Sequence, residues 1–307
     1  MGKKIISLLL TAALMVTTMG MAAAAVPQTV QSKLALIEED TYGSEQTGAV
    51  MDRLNKLEKD YDGSHRSGSL MARIDALYNE VYKNAAGPSM LARLNAIEWN
   101  IDHEVSMKPV ETRLADMELG LMGKTEEGTF KARIDKLGKA SFGTEALPIE
   151  KVQVPANTLI KVAMVDAVNA KNLKAGDTVR FKVAEDVIVD GSLIFAKGEP
   201  GEGKVEKVRQ AKNFGRNAEV QIDFHHTKSI DGTEVDTYVG EESKKEMKHL
   251  AMAAGASIAV MLLLGPIGII GGAFVKGKNV DVPAGTELFI ETENEESLYG
   301  VATVHAD

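Results

Sequence analysis

Hydrophobic positions in the first half of the chain follow a helical period, and the pattern recurs every twenty residues. In one unit Val50, Leu54, Leu57 and Tyr61 fall at i, i+4, i+7 and i+11, the stripe of an amphipathic helix. One such unit cannot bury its stripe alone, so a repeat of this kind implies neighbouring units stacked in a one-dimensional array. The sequence therefore predicts an array of short helices over residues 26–147, each of about three turns.

Glycine and small polar residues mark the expected ends of these helices. Serine or threonine stands at the N-cap position of three units, at Ser69, Ser89 and Thr129. Glycine stands at the C-cap position of four, at Gly43, Gly63, Gly123 and Gly143. Lys83 and His103 replace it in two units, where we expect the helix boundaries to shift. These glycines disfavour the rival architecture, a continuous coiled coil, because each would cost about 1 kcal/mol relative to alanine.

One arginine recurs at the same place in every unit. The five are Arg53, Arg73, Arg93, Arg113 and Arg133. In one interpretation their guanidinium groups bind loop carbonyls or nearby carboxylates such as Glu58, Glu98 or Glu118 and clamp unit to unit. In the other, the array binds an anionic polymer, which the many surrounding acids disfavour.

After Pro148 the apolar period changes from 3.6 to 2, and the segments become rich in Val, Ile and Thr. This pattern is typical of strands. Asp231–Gly232 has the composition of a hairpin turn. Residues 148–307 are therefore predicted to form a mostly antiparallel β-barrel or sandwich. Together with the repeats, the expected fold class is α+β, with more than one domain.

An apolar insert interrupts the strands at residues 250–275, which contain no charged residue. It is long enough to span a bilayer as one helix. Gly265–Pro266 would break that helix, and the strands on either side must meet in one domain, so a helical hairpin is favoured. A hydrophobic hairpin buried in a soluble core is the third interpretation. The residues predicted to carry the membrane hairpin are Val260, Leu263, Gly265, Pro266, Ile269 and Gly272.

The composition of the chain restricts its possible location, partners and chemistry. Residues 1–25 have the features of a secretory signal peptide, with Lys3 and Lys4 before an apolar core and alanines at the cleavage site. The net charge is −9, without a Lys/Arg run, which argues against a nucleic-acid partner. The chain has no cysteine, which excludes disulfides, thiolate metal sites and a cysteine nucleophile.

Two apparent chemical motifs are weak. Residues 198–204 imitate a P-loop, but Val205 stands where the motif needs Ser or Thr. On a strand Asp223 and His225 share a face while His226 points away, so at most two ligands would converge on a metal ion. We therefore predict no catalytic, cofactor-binding or metal-binding residue and no cofactor.

The order of motifs in the second half resembles a known family. The segment PANTLIKV at 155–162, the Asp231–Gly232 turn, the apolar insert and the closing PAGTELFIE at 283–291 are similar to the succession in the TrbI-like β-barrel subunits of type IV secretion core complexes. The helical repeats are not assigned to a family. The resemblance implies an exported bacterial envelope protein with a barrel whose insert enters the outer membrane.

These patterns lead to one functional hypothesis and two alternatives. The first is a non-enzymatic structural or anchoring protein of the periplasm or outer membrane. It associates with a membrane through its C-terminal domain, and its repeats contact a protein or the cell wall. The second is a homo-oligomeric subunit of an envelope transport or secretion assembly. The third, an enzyme, has no site in the sequence to support it.

Overall fold

The computed structural model describes residues 29–144, 146–211, 218–254, 268–271 and 280–303. Its first part contains six helices of thirteen residues each. Their first residues are twenty positions apart: α1 Val30–Tyr42, α2 Val50–Asp62, α3 Leu70–Tyr82, α4 Met90–Asp102, α5 Val110–Met122 and α6 Phe130–Phe142. The predicted array of short helical repeats is confirmed.

The helix ends follow the predicted capping residues. The hydroxyls of Ser69, Ser89 and Thr129 accept the N–H groups of the residues three positions later. The four glycines adopt left-handed backbone with φ between +72° and +86°. The expected boundary shift is wrong, because His103 also takes a left-handed conformation, at φ +53°, while Lys83 ends its helix in an extended one. Both helices keep their length.

All six helices share one apolar core, in which Leu54, Leu57 and Ile74 are fully buried. Contacts are not confined to neighbouring units: α1 packs on α3 and α5, and α6 packs on α2 and α4. The rings of Tyr61 in α2 and Phe130 in α6 meet edge to face at 5.1 Å. The helices therefore pack on their nearest neighbours, as the repeat predicts, and also on more distant units, because large side chains four units apart close the array into a compact body.

In the described residues of the second part there are thirteen strands and one further helix, α7 Glu241–Ala254. The strands are β1 Ile149–Val154, β2 Leu159–Met164, β3 Val168–Asn169, β4 Thr178–Val183, β5 Val187–Val189, β6 Ser192–Phe195, β7 Pro200–Arg209, β8 Glu219–Lys228, β9 Glu234–Tyr238, β10 Gly268–Gly271, β11 Asp281–Val282, β12 Glu287–Thr292 and β13 Glu296–Ala302.

Six of these strands close an antiparallel barrel in the order β8-β7-β4-β2-β12-β9, because β9 pairs with β8 as well as with β12. Gly201 is required inside it, since a Cβ there would lie 2.1 Å from the ring of Phe181. A second antiparallel sheet, β1-β13-β6-β5, lies against the helical part. The predicted barrel and the α+β fold class are confirmed.

The apolar insert departs from the predicted helical hairpin. Gly268–Gly271 forms β10, antiparallel to β8, with Ile269 opposite Gln221, so the helical second arm is wrong there. Two adjacent β-branched residues between glycines disfavour a helix and pair readily with an open strand edge. The predicted signal peptide lies outside the described residues, and so do the other predicted membrane residues: Val260, Leu263, Gly265, Pro266 and Gly272. In the described ranges, no helix has both the length and the apolar character to span a membrane.

Candidate functional site: a buried polar network between the domains

Four of the five repeat arginines bind a glutamate fifteen residues earlier in the chain. In each pair Nε and Nη2 both donate to the carboxylate, and the Nε distances are 2.7–2.9 Å. The pairs are Arg53–Glu38, Arg73–Glu58, Arg113–Glu98 and Arg133–Glu118. Two donors fix both distance and orientation, so each pair holds one helix against the next.

The same carboxylates also bind the loops. Each glutamate accepts the backbone N–H of the residue eight positions later, at 2.9–3.2 Å. One carboxylate therefore joins a helix, the loop that follows it and the arginine of the next helix, an arrangement we call the repeat clamp. In Glu58, burial acts to raise the pKa, but the bonds from Arg73 and from the loop N–H outweigh it and lower the pKa below its ordinary value.

Arg93 is the exception to the predicted set. Tyr78 stands fifteen residues before it, where the other units have glutamate. Arg93 instead binds Asp135 of α6; the Arg93 side chain is 25% exposed and that of Asp135 is 57% exposed. Arg93 thus binds a carboxylate of another unit, but not in the arrangement of the other four arginines, because the preceding unit has Tyr78 in place of the glutamate.

One clamp continues into the β domain. Arg113 Nη2 donates to Asn95 Oδ1 at 2.7 Å, and Asn95 Nδ2 donates to Glu199 Oε1 at 3.1 Å and to the carbonyl of Ile230 at 3.0 Å. Asn95 and Glu199 are each only 2% exposed. A continuous polar network thus runs from the Arg113–Glu98 pair of the repeats, through one amide, to a carboxyl group of the barrel domain.

Glu199 has the most unusual environment of this network. Burial raises its pKa to about 8; the charges of Arg113 and Lys228 act to lower it, and those of Glu98 and Asp231 to raise it. Desolvation disfavours the charged form of a carboxyl group. Near neutral pH the protonated form of Glu199 is therefore favoured.

Apolar and backbone contacts surround this network. Ala96 and Val105 of the repeats pack with Leu193, Ile230 and Val301 of the β domain. The N–H of Val105 donates to the carbonyl of Lys197 at 2.8 Å. The backbone at Gly198 lies so close to the repeats that a Cβ there, where φ is +95°, would lie 2.0 Å from the carbonyl oxygen of Val105.

The predicted hairpin turn at Asp231–Gly232 connects β8 to β9 and is also part of the interface. Asp231 Oδ1 accepts from the hydroxyl of Ser229 and the N–H of Thr233, and Oδ2 accepts the N–H of Tyr299 at 2.8 Å. The side chain of Asn84 donates to the Asp231 carbonyl at 3.1 Å. The turn is confirmed, but its contact with the repeats was not predicted.

The side chains of this network are buried and hydrogen-bond to one another. Sequence reasoning missed Asn95 and Glu199, and it missed the role of Asp231 in the interface. An available signal was the fourth unit, in which Ala92 and Ala96 flank Asn95 on the face opposite the repeat stripe. Within the described ranges, no three His, Asp or Glu side chains come together as a metal site would require. Asp223, His225 and His226 are among the residues to which this applies.

No family model matches the chain, and no curated protein matches it. A solved structure that matches is ComB10 of the Com type IV secretion system of Helicobacter pylori, with 12% sequence identity and a TM-score of 0.26. The match covers 47% of this chain and 88% of that chain.

Proposed function

We propose that the protein is a non-enzymatic structural protein of the cell envelope, in which the barrel domain anchors a rigid array of helical repeats. The observation that carries the proposal is the path Arg113–Asn95–Glu199. Ionised and polar groups that are buried in this way serve to fix one geometry. The protein uses them to fix the repeats to one another and to the β domain, as a scaffold requires.

The anchor is the apolar segment 250–275, which the sequence supports by its length and its lack of charge. It begins in the last turns of α7, contains β10 and lies between β9 and β11, so it is bounded on both sides by elements of the barrel domain. Serine and glutamate hold the start of α7 to the barrel: Glu291 Oε1 accepts from the N–H and the hydroxyl of Ser243 at 2.7 and 2.8 Å. Whatever binds the segment is thereby coupled to the barrel and, through Asn95, to the repeats.

Membrane fractionation tests the anchor. The full chain is expressed in a Gram-negative bacterium, and membranes are washed with alkaline carbonate, which removes peripheral proteins. We expect the chain to stay in the membrane pellet, and a variant with residues 255–267 replaced by a Gly-Ser linker to be released while it stays folded. Quantitative release of the unaltered chain by carbonate would contradict the proposal.

A second candidate function is a subunit of an envelope secretion assembly. It is favoured by the placement of the apolar segment between β9 and the barrel strand β12, the succession that led to the TrbI-like resemblance. Such a subunit acts as a ring of copies. The mass of the detergent-extracted particle, measured by light scattering, separates a ring from the monomer that a simple anchor predicts.

A further inference from the structure

The two ends of the barrel have different neighbours, and the repeats lie at one of them. Gly198 stands two residues before β7 and makes the close backbone approach to Val105. At the same end, β8 runs into the turn whose Asp231 carbonyl accepts the side chain of Asn84. The start of β7 and the end of β8 therefore face the repeats.

The apolar segment 250–275 meets the opposite end of the barrel. Its strand β10 pairs with residues 219–222, which open β8. After the segment the chain returns at Val280, whose carbonyl accepts the N–H of Ala170 at 3.2 Å. The carbonyl of Ala170 in turn accepts the side-chain amide of Gln210, the residue that follows β7. Strand β10 and the return of the chain at Val280 thus both lie where β7 ends and β8 begins.

The height of the barrel separates these two ends. Strands β7 and β8 have ten residues each. Ten residues make about 30 Å of strand, and barrel strands tilt by about 35–45° from the axis, so the ends are about 20–25 Å apart along it. We call the end at which β7 stops and β8 starts the distal end. The apolar segment belongs to the distal end, and the repeats belong to the other.

Exposed charged residues lie at the distal end. Lys171 and Lys174 are in the loop between β3 and β4, which is held to β7 by a hydrogen bond from the N–H of Gly176 to the carbonyl of Val205 at 2.7 Å. Lys207, near the end of β7, is also exposed. Charged side chains are costly in hydrocarbon, whereas long basic ones are accommodated at the lipid headgroups. The distal end is therefore suited to the surface of a bilayer and not to its interior.

We propose that the distal end rests on the headgroups of a lipid bilayer and that the barrel holds the repeats on the side away from the lipid. The inference rests on the proposed anchoring function, because the apolar segment is what enters the bilayer. It adds an orientation: Lys207 lies at the lipid surface, whereas Lys197, whose carbonyl accepts the N–H of Val105, lies at the repeat end. The repeats are then free to contact a protein or the cell wall, but not the membrane that anchors the barrel.

Relaxation of spin labels by a paramagnetic lipid tests this orientation. The full chain is extracted from membranes in detergent and reconstituted into vesicles of phosphatidylethanolamine and phosphatidylglycerol, in which a small share of the headgroups carries chelated gadolinium. The natural chain has no cysteine, so each variant is labelled at one introduced position: Lys207→Cys, Lys197→Cys or Met107→Cys. The two lysine variants are a matched pair, because both residues are exposed and they stand ten positions apart at the two ends of β7. Met107, which is 57% exposed, reports on the repeats.

We expect gadolinium to relax the label at position 207 strongly. The labels at 197 and 107 should behave as they do in vesicles without gadolinium, because dipolar relaxation falls steeply with distance. The label at 207 should also stay accessible to a water-soluble nickel chelate, since the distal end remains outside the hydrocarbon. Circular dichroism verifies that the labelled variants fold.

Flotation of the same vesicles distinguishes failure of the orientation from failure of the anchor. Protein that does not float with the vesicles would contradict the anchor, and the orientation with it. Protein that floats but shows equal relaxation at 207 and 197, or stronger relaxation at 107, would overturn the orientation and leave the anchor in place. Loss of access to the nickel chelate at 207 would show that the distal end enters the hydrocarbon, which would also overturn the inference.

Discussion

Removing Arg113, whose repeat clamp continues into the β domain, should destabilise the protein far more than removing Arg93, which lacks the clamp glutamate. Arg113→Ala deletes a side chain that is 4% exposed and donates to Glu98 at 2.9 and 2.6 Å and to Asn95 at 2.7 Å. Arg93→Ala deletes a side chain that binds only the exposed Asp135 among the described contacts. The two changes remove the same atoms from equivalent positions of neighbouring units.

The expected magnitudes differ because of burial. Removing one partner of a buried ion pair costs about 3–5 kcal/mol, since an uncompensated charge remains. Glu98 keeps its bonds from the N–H and hydroxyl of Ser106, so we expect about 3 kcal/mol for Arg113→Ala. An exposed pair contributes about 0–1 kcal/mol, which is the expectation for Arg93→Ala.

Urea unfolding of the full chain measures both. Trp99, the protein's one tryptophan, lies on α4 and donates to Asp186 of the β domain at 2.9 Å, so its fluorescence follows the interface. Circular dichroism at 222 nm follows the helices as a whole. Equal losses of stability for the two variants would refute the reasoning, because the repeat clamp would then not depend on burial.

Two further predictions concern single groups. Wild-type stability should fall as pH rises from about 4.5 to about 8, because the folded state keeps the Glu199 proton that the unfolded state loses. In urea unfolding midpoints measured across this pH range, Glu199→Gln should abolish this part of the decline. An unchanged pH profile in the variant would contradict the prediction. Gly63→Ala and Gly123→Ala both force left-handed backbone on alanine, at about 1–2 kcal/mol, but only at Gly63 does the new Cβ approach Thr129, at 3.1 Å. Thermal unfolding should therefore show the larger loss for Gly63→Ala, and equal losses would argue against close contact between the ends of α2 and α6.

Much of the fold was predictable because it depends on local chemistry. The helix ends follow from capping hydroxyls and left-handed glycines, and the strands follow from alternation and β-branched residues. The clamp partners Glu58, Glu98 and Glu118 were also accessible, since a recurring arginine in an acidic chain must find carboxylates. The part that was not predicted concerned the tertiary packing of the helices. No local sequence pattern shows that Phe130 reaches Tyr61 and closes the array.

The interdomain site was less accessible to sequence reasoning. Asn95 and Glu199 are 104 residues apart and meet only because the β8–β9 turn and the end of β6 pack on α4. A buried carboxyl group has no sequence signature, because Glu199 follows a glycine in what reads as an ordinary turn. The misjudged second arm of the insert has a similar cause: Ile269 and Ile270 extend only because β8 offers them an edge.

We expect the repeats and the barrel to form one rigid body joined at Asn95. Because the chain has no cysteine, spin labels attach only at the two positions where cysteine is introduced. Leu119 of α5 and Ile188 of β5 are 59% and 51% exposed and lie on different domains. Pulsed electron paramagnetic resonance between labels there should give one narrow distance distribution, which broadens when Asn95→Asp places an acid against Glu199. A broad distribution in the otherwise unaltered protein would show that the domains move independently and would contradict the account.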